Sequence, residues 1–228
     1  MMKTEDVPTL GKITRLSVLF VVAAAIALLG MPLNAEPAGD VETWQFDVYL
    51  DDKKVGYHNF EVVEQGGEKT VESQAEFNVK FLFVTAFRYN HRNVERWADN
   101  CLLEIEAKTR ANGKRIEVEG ERTDSGFRIV TDDEAQQLPN CVMSFAYWNP
   151  DFLDQSRLIN PQSGEYLDVS IEQLDEEVLQ IRGEAVNATP FKVTAKKVEL
   201  TVWYSADDQW LALESVAKGG RILRYELA

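Results

Sequence analysis

From Thr43 onward the chain alternates apolar and polar residues with a period of two, and this rhythm limits the possible folds more than any other feature. Trp44, Phe46, Val48 and Leu50 alternate with Gln45, Asp47 and Tyr49, the pattern of an extended strand with one buried face. Asp51 to Lys54 supplies a polar turn, and the return strand from Val55 to Val63 runs to Gln65-Gly66-Gly67, a strong turn signal. The next strand is the clearest. Val71, Ser73, Ala75, Phe77, Val79 and Phe81 share one face, while Glu72, Gln74, Glu76, Asn78 and Lys80 share the other. Between Phe83 and Trp97, Phe87, Tyr89, His91, Glu95 and Trp97 fall at one parity and Arg88, Asn90, Arg92 and Arg96 at the other.

Cys101, Leu103, Ile105 and Ala107 continue the alternation up to Asn112-Gly113, a hairpin dipeptide suited to a type I′ turn, whose two central residues need positive φ. Ile116 and Val118 lie on the return strand, and Asp124 to Gly126 turns into Phe127 and Ile129. Thr131 to Gln137 reads as an acidic connector. Val142, Phe145, Trp148 and Phe152 then recur at roughly helical spacing, which predicts one short helix near 141–153, interrupted by Pro150 and packed as a cap. Short strands resume at Leu167–Ile171, Val178–Ile181, Phe191–Ala195, Val198–Tyr204, Leu211–Ala217 and Ile222–Leu227. The expectation is a mainly β fold: an antiparallel meander curling into a barrel, half-barrel or sandwich.

The N-terminus follows a different rule. Lys3, Lys12 and Arg15 precede an apolar run from Leu16 to Leu29, followed by Gly30, Pro32 and Ala35. Charged, apolar and small-residue regions in that order mark a secretory signal peptide over residues 1–35, leaving 36–228 as a single β-rich domain. The rival reading is a retained inner-membrane anchor over 16–33, since the stretch approaches the roughly 18 to 20 residues that span a bilayer. Either reading places the domain outside the cytoplasm, in the periplasm or secreted. Thiols are usually oxidised there, so Cys101 and Cys141 are expected to pair; two buried free thiols are the alternative. The formal net charge of −14 repels phosphate backbones, which argues against nucleic acid as a partner. Membrane contact is expected only through the N-terminal signal or an uncleaved anchor.

Several segments together carry a family resemblance. Phe46-Asp-Val-Tyr-Leu-Asp-Asp-Lys-Lys-Val-Gly56, Tyr89-Asn-His91 with Val94-Glu95-Arg-Trp97, Thr109-Arg-Ala-Asn-Gly-Lys114, Trp148-Asn149, Leu158-Ile-Asn160, and the closing Trp203-Tyr204 with Gly220 and Tyr225 resemble a bacterial envelope family. It is the domain of unknown function numbered 6134, related to the one numbered 3108. The resemblance covers nearly the whole domain and implies its fold, with no catalytic residues to carry over.

His91 and Glu95 stand out because their parity groups them with aromatics, where an imidazole and a carboxyl could work as base and acid. Four residues along a strand separate them by ~13 Å, too far for a direct contact. The plainer reading pairs Glu95 with a cation from a neighbouring strand and leaves His91, and likewise His58, as satisfied residues near the rim of the sheet. Arg88, Arg92 and Arg96 form a row that either binds an anion or pairs across strands with Glu72, Glu76, Glu104 and Glu106. Phe87, Tyr89, Trp97, Trp148 and Trp203 could line a concavity for a hydrophobic ligand or lipid, or serve as core.

No Gly-x-Ser-x-Gly elbow, phosphate-cradling glycine loop or His-rich metal spacing occurs, and no cofactor is called for. The leading expectation is a non-catalytic binding module for a hydrophobic small molecule. An envelope interaction or assembly protein comes second and a hydrolase last.

Overall fold

The computed structural model describes residues 39–81, 84–132, 134–217 and 219–228; the expected signal at 1–35 and its rival, an anchor over 16–33, lie outside them. The strands are β1 (Asp40–Leu50), β2 (Lys53–Gln65), β3 (Glu68–Phe81), β4 (Val84–Ala98), β5 (Cys101–Ala111), β6 (Lys114–Thr123), β7 (Gly126–Thr131) and β8 (Glu134–Leu138), then β9 (Arg157–Ile159), β10 (Tyr166–Gln173), β11 (Glu177–Ile181), β12 (Glu184–Ala195), β13 (Val198–Tyr204), β14 (Trp210–Ala217) and β15 (Arg221–Leu227). They form one antiparallel sheet in the order β8-β7-β6-β5-β4-β3-β2-β1-β15-β14-β13-β12-β10-β9, with β11 paired to β12 off that path. Two meanders are thus joined where β1 pairs with β15, Phe46 opposite Leu227 and Val48 opposite Tyr225.

The sheet is curled but not closed by strand pairing, since β8 and β9 remain its two edges. Residues 139–156 lead from one edge to the other and bury Val142, Met143, Phe145, Ala146 and Phe152 in the same core as Phe46, Trp97 and Leu213. Gly164, in the loop after β9, shows how far the sheet curls. A Cβ there would lie 2.0 Å from the Thr131 hydroxyl of β7, near the opposite edge. Its φ of +70° adds a second reason for glycine.

Two expectations need correction. The helix expected near 141–153 is absent: residues 139–149 are extended or irregular, and only Pro150–Asp154 turns, as a 3₁₀ segment capped by the Asn149 side chain accepting from the Asp151 amide at 3.1 Å. The apolar spacing arose from a strap that inserts into a curved sheet, paired through Leu102 N to Val142 O, Ile159 N to Met143 O and Phe145 N to Ile159 O. The acidic connector contains strand β8, whose Glu134–Gln137 are all exposed. Charge on an edge strand discourages pairing with another chain.

The disulfide joins Cys101, at the start of β5, to Cys141 in the strap, with Cα atoms 4.9 Å apart. Closing a loop of 40 residues in this way stabilises the fold by ~4 kcal/mol in the chain-entropy model. Asn112 and Gly113 adopt the positive φ that the hairpin turn requires, 48° and 87°. Outside the barrel-like curve, Arg92 pairs with Glu72 at 2.9 Å, and Arg96 with both Glu104 at 2.9 Å and Glu68 at 3.3 Å. Cross-strand pairing therefore accounts for Arg92 and Arg96.

Candidate ligand-binding cavity

Register builds the site. Across the inner face His58 of β2 lies opposite Ala75 of β3, Ala75 opposite His91 of β4, and His91 opposite Thr109 of β5. The adjacent row is Phe60, Ser73, Asn93 and Ala107. Both rows point inward because each strand keeps its period of two over this stretch, and Ala75, fully buried, lies between the two histidines.

A cavity of about 580 Å³ lies against these rows. Leu50, Val55, Phe77, Leu213 and Leu223 supply apolar wall, and Tyr89, Tyr147 and Tyr225 supply aromatic wall. Among the described residues four β-bulges interrupt the sheet, and two of them shape this space: the extra residues Val55 and Ala86, which strict alternation would send outward, turn into the cavity lining. Along β4 exposure rises from 4% at His91 through 8% at Tyr89 to 36% at Phe87, so the cavity opens at the Phe87 end, where Val216 is also exposed.

The polar groups on this wall are uncharged and incompletely paired. His91 Nδ1 lies 2.9 Å from the Thr109 hydroxyl, and burial pulls its pKa down to about 4. Burial, with a smaller repulsion from His91, holds the His58 pKa well below the usual imidazole value. Neither ring nitrogen of His58 meets a hydrogen-bond partner, nor does Asn93 Oδ1. Burial raises the Tyr89 phenol well above its ordinary range, with Tyr225 and Tyr147 adding to the effect, so the phenols too remain neutral.

Two residues further along β4 the chemistry reverses. Glu95 is buried and accepts from Asn93 Nδ2 at 2.9 Å and from Trp97 Nε1 at 3.0 Å. Burial raises its pKa, while the bonds to Asn93 and Trp97 and the nearby Ser144 hydroxyl lower it. Ser144 Oγ is close enough for that influence yet meets no partner in good hydrogen-bond geometry, so we assign Glu95 the two well-formed bonds only.

The candidates named from sequence therefore divide. Phe87, Tyr89 and His91 line the cavity, whereas Glu95 does not. His91 and Glu95 share a face but bind different partners, and Asn93 stands between them. Glu95 takes amide and indole donors rather than the cross-strand cation expected for it. His58, expected to be satisfied near the rim, is instead an orphaned ring in the wall.

Trp97 points inward but is sealed beneath the strap, edge-on to Trp148 with centroids 5.6 Å apart. Trp148 faces a smaller cleft of about 220 Å³ with Trp44 and Lys69. Trp203 is on the wrong side of the sheet, because Val202 and Tyr204 beside it point inward. It packs with Ala188 and Leu211 on the outer face, covered by Leu179 and Ile181 of β11, and donates to Glu177 at 2.6 Å. Sequence reasoning passed over Asn93 altogether. Its parity with His91 and Glu95 was the available signal.

The fold is an incompletely closed, barrel-like antiparallel β domain. The family model for Domain of unknown function (DUF6134) matches residues 46–228, and the chain belongs to that family. No curated protein matches the chain. The structure is similar to the crystal structure of a beta-barrel-like protein of Domain of Unknown Function DUF1849 from Brucella abortus, with a TM-score of 0.61 at 7% identity over 84% of this chain and 96% of that one. At that identity the likeness concerns the fold alone.

Proposed function

We propose that this chain is an exported, non-catalytic binding protein that holds a hydrophobic small molecule inside its curved sheet, in the periplasm or outside the cell. One observation carries the reading: a cavity of about 580 Å³, within the size range of small-molecule sites, lined mainly by apolar and aromatic side chains and open at Phe87. The signal-like N-terminus and the Cys101–Cys141 bond support an oxidising compartment. Among the described residues neither histidine of the wall has a carboxylate as hydrogen-bond partner, which favours binding over hydrolysis.

The test expresses the full chain in a bacterial host, purifies it from the periplasm and titrates it with 1-aminoanthracene, an uncharged fluorescent aromatic. Saturable uptake at one site, displaced by dodecane, is the expected result. Absence of uptake, together with organic extracts containing no apolar molecule by mass spectrometry, would sink the proposal.

A further inference from the structure

The cavity wall carries a recognisable chemical demand. His58 offers one donor and one acceptor in its neutral form, Asn93 Oδ1 offers an acceptor, and none of these atoms meets a protein partner. Folded proteins rarely leave buried polar atoms unpaired, because each retains the cost of losing water. These atoms lie in neighbouring rows of one wall, whereas Ser144 Oγ and Trp148 Nε1, also unpaired, belong to the strap and lie outside the cavity lining. Two strand spacings separate the His58 and His91 backbones, roughly 10 Å, with only the Ala75 methyl between them.

Charge narrows the choice. Among the described residues no lysine or arginine stands on this part of the wall: Arg221 is held by Asp51 at 2.9 Å, and Lys197 is exposed. An anionic head would therefore be buried without a counter-ion. A cationic head fares no better. Glu95 has both oxygens taken and lies outside the lining, and Glu199 is exposed and engaged by Lys192 at 3.0 Å. Burying an unpaired ion costs far more than burying a neutral polar group whose hydrogen bonds are met. At the ~30 Å³ that one water occupies in the liquid, the cavity has room for on the order of 20 heavy atoms, enough for a head and a hydrocarbon chain.

We propose that the occupant is a long-chain amphiphile with an uncharged head that both donates and accepts hydrogen bonds, such as a hydroxyl or primary amide, seated against His58, His91 and Asn93 with its chain running out past Phe87. This deepens the reading of the cavity as a ligand site and depends on it.

The experiment displaces 1-aminoanthracene from the periplasmic protein with a series sharing one chain: dodecanol, dodecanamide, dodecane, dodecanoate and dodecyltrimethylammonium. Dodecanol and dodecanamide should reach half-displacement at concentrations about tenfold below the other three, the ratio that one well-made buried hydrogen bond supports. His58→Phe, checked for folding by circular dichroism, should shrink that preference to about threefold or less while leaving dodecane little changed. Equal displacement by all five, or preference for either ion, overturns the proposed head group while leaving the hydrophobic site standing. Failure of the native protein to bind 1-aminoanthracene or dodecane, with no apolar molecule in its organic extract, overturns both readings. If His58→Phe does not fold, the head-group series on the native protein decides alone.

Discussion

Two inward-facing stretches of β4, two periods of side-chain alternation apart, bury their polar groups in opposite ways. At Glu95 a carboxyl is enclosed together with its donors, Asn93 Nδ2 and Trp97 Nε1, under the strap that the disulfide fastens. At His91, and at His58 two strands away, polar rings are enclosed beside open volume, and neither His58 nitrogen has a hydrogen-bond partner. A buried polar group whose bonds are met stabilises one packing arrangement, whereas an unmet one keeps hydrogen-bonding capacity for something that is not part of the chain. The Glu95 carboxyl therefore fits a folding role, although Ser144 Oγ and Trp148 Nε1 by the strap go unpaired as well, and the imidazole end fits the binding role proposed above.

That division puts the largest stability effect at the sealed end. Trp97→Ala should lower the unfolding free energy by about 3–5 kcal/mol, since it removes a fully buried indole and strips Glu95 of one donor. Urea denaturation measures this. His58→Phe should cost less than about 1 kcal/mol in the same assay, because an apolar ring replaces a polar one that had no partner. Comparable losses in the two variants would erase the contrast.

The next effect sharpens the contrast through pH. The folded pKa of His91, about 4, lies below the unfolded imidazole value of about 6.5. A depressed pKa contributes stability that is fully present above the unfolded value and lost as pH falls through the folded one. The window is therefore pH 6.5 down to about 4, and the loss is on the order of 3 kcal/mol for this one residue. His58 acts with the same sign. Glu95 acts with the opposite one: its raised pKa gives stability present below the ordinary carboxyl value and lost as pH rises through the folded value. Comparing wild type with His91→Gln, measured from pH 7 to 4, cancels both backgrounds, and the variant should show the shallower decline. Parallel curves would mean that the His91 ring is solvated and the wall is not a desolvated site.

The sealed end was also the harder end to read from sequence. Alternation placed Phe46, His58, Phe77, Tyr89 and His91 on one face, and the structure keeps them there, because pleat geometry alone decides which side of a strand a residue occupies. Bulges are where that logic slips. Leu103 was assigned to the face of Ile105, but it is the extra residue opposite Trp97 and Arg96, and Leu102 is the one buried. Nothing in the local pattern announces such an insertion.

The strap misled for a related reason. Residues 141–153 carry apolar groups near helical spacing, but their backbone bonds go to β5 and β9, partners distant in sequence. Trp203 failed on a simpler point, since its own neighbours Val202 and Tyr204 already claimed the inward parity. The orphaned state of His58 was illegible because it depends on which atoms are missing around a ring, and that is fixed only when four strands and the strap have come together.

The smallest effect tests where the cavity opens. Phe87 and Trp97 were both candidates for the same concavity, ten residues apart on one face of β4, yet one is 36% exposed and the other 1%. Phe87→Ala should change stability by less than about 1 kcal/mol, as expected for a half-exposed ring away from the packed core. It should nonetheless weaken 1-aminoanthracene binding roughly three- to tenfold, because an aromatic contact worth about 0.5–1.5 kcal/mol is removed from the path of the ligand. A large stability loss would make Phe87 core, like Trp97. Unchanged binding would move the opening away from Phe87, toward Val216 and the β14–β15 turn, because among the described residues the lining has no other exposed apolar side chain as large as these two.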